Sequence, residues 1–233
     1  MQKRTKIITV SIVAGALVLG GAAAIAGPIV YRDLIAAKPD TAPTVTAAPE
    51  ASTSDPAEVG DLSGDWTVAD GSFAGYRVDE VLNGTDVTVT GRTEQVTGEL
   101  TVSGLTLESA SFEVDVASIA TDSANRDDYF RTEALRTDEF PTASFVLTEP
   151  ITVDAAPAVG EVRTVQATGE LTLAGVTKPV TVELQAVLNG ATGQVAGSIP
   201  ITFADFGVEA PNLGFVSVEP NGTVEFSLEL SRA

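Results

Sequence analysis

The sequence predicts an all-β, antiparallel domain carried at the end of an exported chain. Three observations support this: apolar and polar residues alternate with period two through its later part, Asn-Gly pairs punctuate the alternation, and the 233 residues include no Cys and no His. Without Cys there is no disulfide framework, so the folded part must hold together through an apolar core.

Taken from the N-terminus, Lys3, Arg4 and Lys6 form a basic tail over residues 1–6, followed by an uncharged, mostly aliphatic run of 25 residues from Ile7 to Tyr31. That length suffices to cross a bilayer. The basic flank predicts a cytoplasmic N-terminus, with everything after Tyr31 outside. Residues 7–31 are therefore expected to be a transmembrane signal anchor of a single-pass plasma-membrane protein. The alternative is a cleaved signal peptide, since Ala24-Ile25-Ala26 offers a small-x-small site. Residues 32–61 turn to Ala, Pro, Thr and Ser and lack the large apolar side chains that would offset ordering entropy, so they are expected to form a disordered linker.

Residues 62–233 form the predicted domain. Phe112-Glu113-Val114-Asp115-Val116, Val180-Thr181-Val182-Glu183-Leu184 and Val224-Glu225-Phe226-Ser227-Leu228-Glu229-Leu230 each put apolar residues on one face and polar residues on the other. Antiparallel strands with one buried and one wet face show this pattern. Asn83-Gly84, Asn189-Gly190 and Asn221-Gly222 predict hairpin turns, because both residue types tolerate positive φ. Between residues 122 and 140 the alternation stops. One or two short helices are expected at this crossover, with Asn125 as N-cap, Asp127 and Asp128 in the first turn and Pro141 as the stop.

Composition narrows the function. A formal net charge of −19 opposes nucleic-acid binding, which relies on Lys and Arg displacing counterions from phosphates. Nucleophilic triads and zinc sites usually need His or Cys, so no catalytic residue, metal site or cofactor is expected. Paired carboxylates could still serve a hydrolase, and Asp127 or Glu133 are the nominal candidates, but nothing in their spacing selects them. No Asp-rich loop has EF-hand spacing for calcium.

Four stretches in series resemble the YceI-like family, bacterial lipocalin-like proteins that bind polyisoprenoid lipids. They are Trp66-Thr67-Val68 with Gly71-Ser72-Phe73-Ala74-Gly75-Tyr76-Arg77-Val78; Ser118-Ile119-Ala120-Thr121 with Asn125-Arg126-Asp127; Phe140-Pro141-Thr142-Ala143-Ser144-Phe145; and Gly169-Glu170-Leu171-Thr172-Leu173-Ala174-Gly175-Val176-Thr177-Lys178-Pro179-Val180. The chain departs from the family pattern where relatives often carry His, reading Asp128-Tyr129 after the Arg-Asp pair. The resemblance implies an antiparallel lipocalin-like β-barrel of about eight strands. It also implies a polyisoprenoid or quinone-like lipid as partner.

A barrel of that size can fill its interior with side chains or hold one small ligand. The predicted lining is Phe112, Val114, Phe130, Phe145, Leu147, Val182, Leu184, Ile201, Phe203 and Phe226, with Val116 and Leu228 also facing inward. For any one Phe, simple core packing is the competing explanation. Arg126, Arg131 and Arg136 are clustered, and Arg126 and Arg131 are candidates for headgroup contact at the barrel mouth. Against this, neighbouring acids offer local ion pairs, and Arg126 with Asp127 reads most simply as a structural pair. A cell-surface adhesion domain with a filled core is the alternative function, although the Cys pair around a central Trp typical of immunoglobulin domains is absent. The sequence leaves a homodimer open.

Overall fold

The computed structural model describes residues 38–47 and 61–233. The basic tail, the apolar run and the rest of the linker lie outside the described residues. Among the described residues no helix is long and apolar enough to cross a membrane.

Ten strands follow in order: β1 (Gly64–Leu82), β2 (Thr85–Thr93), β3 (Val96–Ser103), β4 (Thr106–Asp115), β5 (Thr142–Leu147), β6 (Ile151–Thr152), β7 (Arg163–Leu173), β8 (Val176–Asn189), β9 (Thr192–Thr202) and β10 (Val216–Arg232). All their pairings are antiparallel. β2 and β3 lie end to end along β1, one against Ala74–Leu82 and the other against Gly64–Thr67. β6 is a short addition beside β4. The remaining order, β4-β5-β7-β8-β9-β10, returns to β1, so the wall closes as an eight-stranded barrel. Closure leaves the long β1 and β10 no free edge between them.

The two ends differ. One carries the β1–β2 hairpin tip, the crossover between β4 and β5, the Ala174-Gly175 turn and the loop after β9; the other carries the Gly104-Leu105 and Gly190-Ala191 turns. The first is called the mouth and the second the far end. At the mouth the crossover holds a 3-10 turn (Val116–Ser118), helix α1 (Ala124–Tyr129) and a wider π-type turn (Phe130–Ala134).

Three local expectations are corrected. The N-cap of α1 is Ser123, not Asn125, and its side chain makes no capping bond. Asp127 does not pair with Arg126. It accepts hydrogen bonds from Thr121 N (2.9 Å) and Thr121 Oγ1 (2.7 Å), pinning the entry to the helix. Asn221-Gly222 is not a hairpin but lies inside β10, where residues 219–221 bulge opposite Asp79 of β1. A Cβ on Gly222 would stand 2.8 Å from the Phe203 ring, so glycine is used there for close approach. The pairs at Asn83 and Asn189 do sit at hairpins.

Residues 38–47 of the predicted linker are among the described residues. Lys38–Ala47 runs along the outer wall. Arg77 Nη2 donates to Asp40 O (2.6 Å), Arg92 Nη2 to Thr41 O (2.7 Å), Thr46 N to Gln194 Oε1 (2.6 Å), and Asn189 Nδ2 to Thr46 O (3.2 Å). Beneath it Glu225, an outward residue of β10, is only 2 % exposed and lies 2.6 Å from Arg77 Nε and 3.8 Å from Arg92 Nη2. Two arginines around one buried carboxylate have donors to spare, and backbone carbonyls of the strap take them.

Candidate functional site

Alternation along each strand dictates what faces the lumen. On β1 the inward set is Ala74, Tyr76, Val78, Glu80 and Leu82, and these residues line a cavity of about 470 Å³ at the mouth. Its floor is Leu171, Leu173 and Ile201, its roof the crossover residues Tyr129, Phe130 and Leu135, and its rim the loop from Val208 to Val216. Of the residues singled out from sequence, Val114, Val116, Arg126, Phe130, Ile201 and Phe203 line this cavity. Tyr76 stacks on Phe130 with ring centroids 5.0 Å apart.

Deeper in the barrel a space of about 100 Å³ is walled by Phe112, Phe145, Val182, Leu184 and Phe226, and it shares Val114, Ala143 and Leu171 with the mouth cavity. Beyond it lies a far-end cavity of about 240 Å³, which Leu147 lines together with Trp66, Leu100, Leu107 and Leu188. Phe112, Phe145 and Leu184 border both of these spaces. The three cavities therefore succeed one another along the barrel, with a waist of three phenylalanines between the ends.

Each waist ring lies against a glycine of a neighbouring strand. A Cβ would stand 2.3 Å from the Phe112 ring at Gly98, 2.3 Å from Phe145 at Gly169 and 2.7 Å from Phe226 at Gly197. Any side chain at these positions would collide with the ring, so the glycines are what let the rings pack back against the neighbouring strands. Sequence alternation brings these phenylalanines inward. The glycines that receive them could have been sought only once the register was known.

The polar part of the lumen sits at the mouth. Glu80 is buried on an inward position and accepts from Arg126 Nη2 at 3.2 Å, while Arg126 Nη1 donates to Asp122 at 2.7 Å. Burial works against the Arg126 charge, but Glu80 and Asp122 more than offset it, leaving its pKa above the ordinary value. Burial likewise pushes the Tyr76 hydroxyl well above the ordinary tyrosine value, with Arg126 opposing and Asp127, Glu80 and Asp122 adding to the shift.

Arg131 is placed elsewhere. It pairs with Asp128 at 2.9 Å on the surface and does not line the cavity. Arg136 pairs with Glu139 at 3.4 Å and sits over the Phe140 ring. Among the described residues no group of His, Cys, Asp and Glu is arranged to hold a metal ion. Sequence reasoning missed Glu80, although the parity Tyr76-Val78-Glu80 already turns it inward. It also missed the exposed rim residues Leu213 and Phe215, which belong to no alternating run.

Comparison with known proteins supports this architecture. The family model described as the YceI-like domain matches residues 66–230. A polyisoprenoid binding domain from Saccharophagus degradans, implicated in plant cell wall breakdown, superposes with a TM-score of 0.60 at 23% identity, covering 73% of this chain and 99% of its own. BcnA of Burkholderia cenocepacia superposes with a TM-score of 0.52 at 22% identity, covering 66% of this chain and 95% of its own. At these identities the likeness is one of fold. No curated protein matches the chain.

Proposed function

The chain belongs to the YceI-like family, a non-catalytic lipid-carrier fold, and from that premise we propose that its barrel binds a single isoprenoid lipid, tail inward and head at the mouth, without turning it over. The observation that carries this reading is the succession of apolar cavities from the mouth to the far end, the largest about 470 Å³ and within the range of small-molecule sites. A lipid tail in such a lumen gains roughly 0.8 kcal/mol for each methylene removed from water. The ten residues predicted from the sequence would be its wall, with Tyr76 and Arg126 nearest the head.

The charges at the mouth favour an uncharged head of the prenyl quinone type over a polyprenyl phosphate. Charged residues lining the cavity are Glu80, Arg126 and Glu209, so acids outnumber the one cation. Both terminal nitrogens of Arg126 already serve carboxylates. A phosphate would have to displace one of them, whereas a carbonyl head needs only one neutral donor, and the Tyr76 hydroxyl supplies it. Localisation follows the sequence: the apolar run anchors the chain in the plasma membrane and the barrel works outside it.

Solvent extraction of the purified protein followed by mass spectrometry tests the reading. A neutral prenyl lipid near one equivalent is the expected result. Protein that yields no lipid and takes up no long-chain prenyl probe would assign the same phenylalanines to a filled core and favour an adhesion role.

A further inference from the structure

The strap along the outer wall has a direction. Its later residue Thr46 meets Asn189 and Gln194 at the far end, whereas Asp40 lies beside Thr90 and Arg92, with Asp40 N donating to Thr90 Oγ1 at 3.1 Å. Lys38 and Pro39 go further the same way, bordering a surface cleft with Val87, Thr88 and Arg126. Arg126 also lines the mouth cavity. The chain therefore reaches the barrel on the mouth side.

Only residues 32–37 separate Lys38 from the apolar run ending at Tyr31. Six residues fully extended span about 20 Å, less than one bilayer core, so they cannot carry the mouth far from the membrane or reverse the barrel. At that same mouth, Leu213 and Phe215 are 56 % and 57 % exposed, the two most exposed large apolar side chains among the described residues. They lie in Ala210–Val216, which has no charged residue, and both line the cavity. Backbone pairing holds the loop in place, since Asn83 N donates to Phe215 O at 2.8 Å and Val218 N to Pro211 O at 3.0 Å.

We propose that the mouth docks on the lipid bilayer, with Leu213 and Phe215 inserted among the acyl chains, so that lipid passes between membrane and lumen without crossing water. This rests on the carrier reading and its membrane anchor. The strap supplies orientation and proximity, and the rim supplies the apolar contact. The far end also exposes apolar residues, Leu105 and Val162, but the strap leads away from them.

The lack of Cys in the native chain makes single-site labelling direct. The full chain carrying Leu213→Cys, Phe215→Cys or Leu105→Cys would be labelled with bimane and reconstituted in phosphatidylcholine vesicles containing doxyl-labelled acyl chains. Labels at 213 and 215 should lose most of their emission to the lipid quencher, and the label at 105 should keep it. Equal emission at all three sites, quenching confined to 105, or failure to associate with vesicles would each overturn the proposal. A Gly/Ser insertion of about 20 residues between Tyr31 and Lys38 should restore emission at 213 and 215, and quenching that survives it would overturn the strap's part. Extracted lipid measured on the same preparation separates the two readings. Lipid without rim quenching overturns the docking alone, and rim quenching without lipid overturns the carrier function alone.

Discussion

The two halves of the lumen differ in chemistry although the same eight staves build both. At the mouth the inward positions include Tyr76, Glu80 and Arg126, roofed by a helical crossover and a loop. Past the waist, the far-end cavity is lined by aliphatic residues, Trp66 and the waist rings Phe112 and Phe145, with Arg163 and Gln194 the exceptions and no acid among its lining. A barrel that only needed a packed core would have no reason to bury an ion pair at one end, because a buried charge pair contributes little net stability compared with apolar packing. The difference makes sense if one half handles a polar head and the other a hydrocarbon tail, with the phenylalanine waist between them.

The largest effect should come from erasing the contrast. Phe145→Asp would place an unpaired carboxylate at the waist, which costs several kcal/mol unless it takes up a proton. Extractable lipid should disappear while circular dichroism still reports a folded β protein. Retention of lipid by a folded variant would show that the waist is not on the ligand's path.

Next is the mouth itself. Glu80→Ala removes one acceptor of Arg126 and leaves Asp122, so a loss of about 1–3 kcal/mol is expected in denaturant unfolding, reflecting a charged hydrogen bond. Freed from Glu80, Arg126 should also accept prenyl phosphate probes more readily relative to prenyl quinones. An unchanged preference would contradict the assignment of the head to this end.

The waist can be adjusted in both directions with a smaller effect. Gly197→Ala brings a Cβ to 2.7 Å from the Phe226 ring and 2.9 Å from Leu184, which pushes the ring into the lumen. Phe226→Leu opens the same place at a cost of about 1–2 kcal/mol. Competition among prenyl chains of different length should shift toward shorter tails for the first variant and longer tails for the second.

The smallest expected effect concerns Tyr76. Its folded pKa is raised by burial, so it favours the folded state fully below the ordinary value for tyrosine and progressively less as pH rises above it. Phenolate absorbance should show a tyrosine that ionises only with alkaline unfolding. Tyr76→Phe should abolish that delayed phase.

Much of the barrel was legible because period-two alternation is a local property. Phe112-Val114, Val182-Leu184 and Phe226-Leu228 could be turned inward without any knowledge of their neighbours. What depends on register was not legible. Asn221-Gly222 has turn chemistry, yet its place is set by pairing with β1 and by Phe203, just past β9, packing against it. Arg126 has acids on either side in sequence, but one of its partners, Glu80, is 46 residues away. The strap was hidden for a different reason. Its docking joins the carbonyls of Asp40 and Thr41, and the Asp40 carboxylate 3.3 Å from Arg92 Nε, to arginines far along the chain, so no local side-chain pattern marks it.

Whether one tail runs from the mouth through the waist to the far end is read from where the tip of a bound chain lies. A long-chain prenyl quinone carrying a diazirine at its terminal isoprene would be loaded, photolysed and mapped by peptide mass spectrometry. Adducts on the far-end lining around Leu100 and Leu188, lost in Gly197→Ala, are the predicted result. Adducts confined to the crossover and the rim loop, with the far end untouched, would contradict the account.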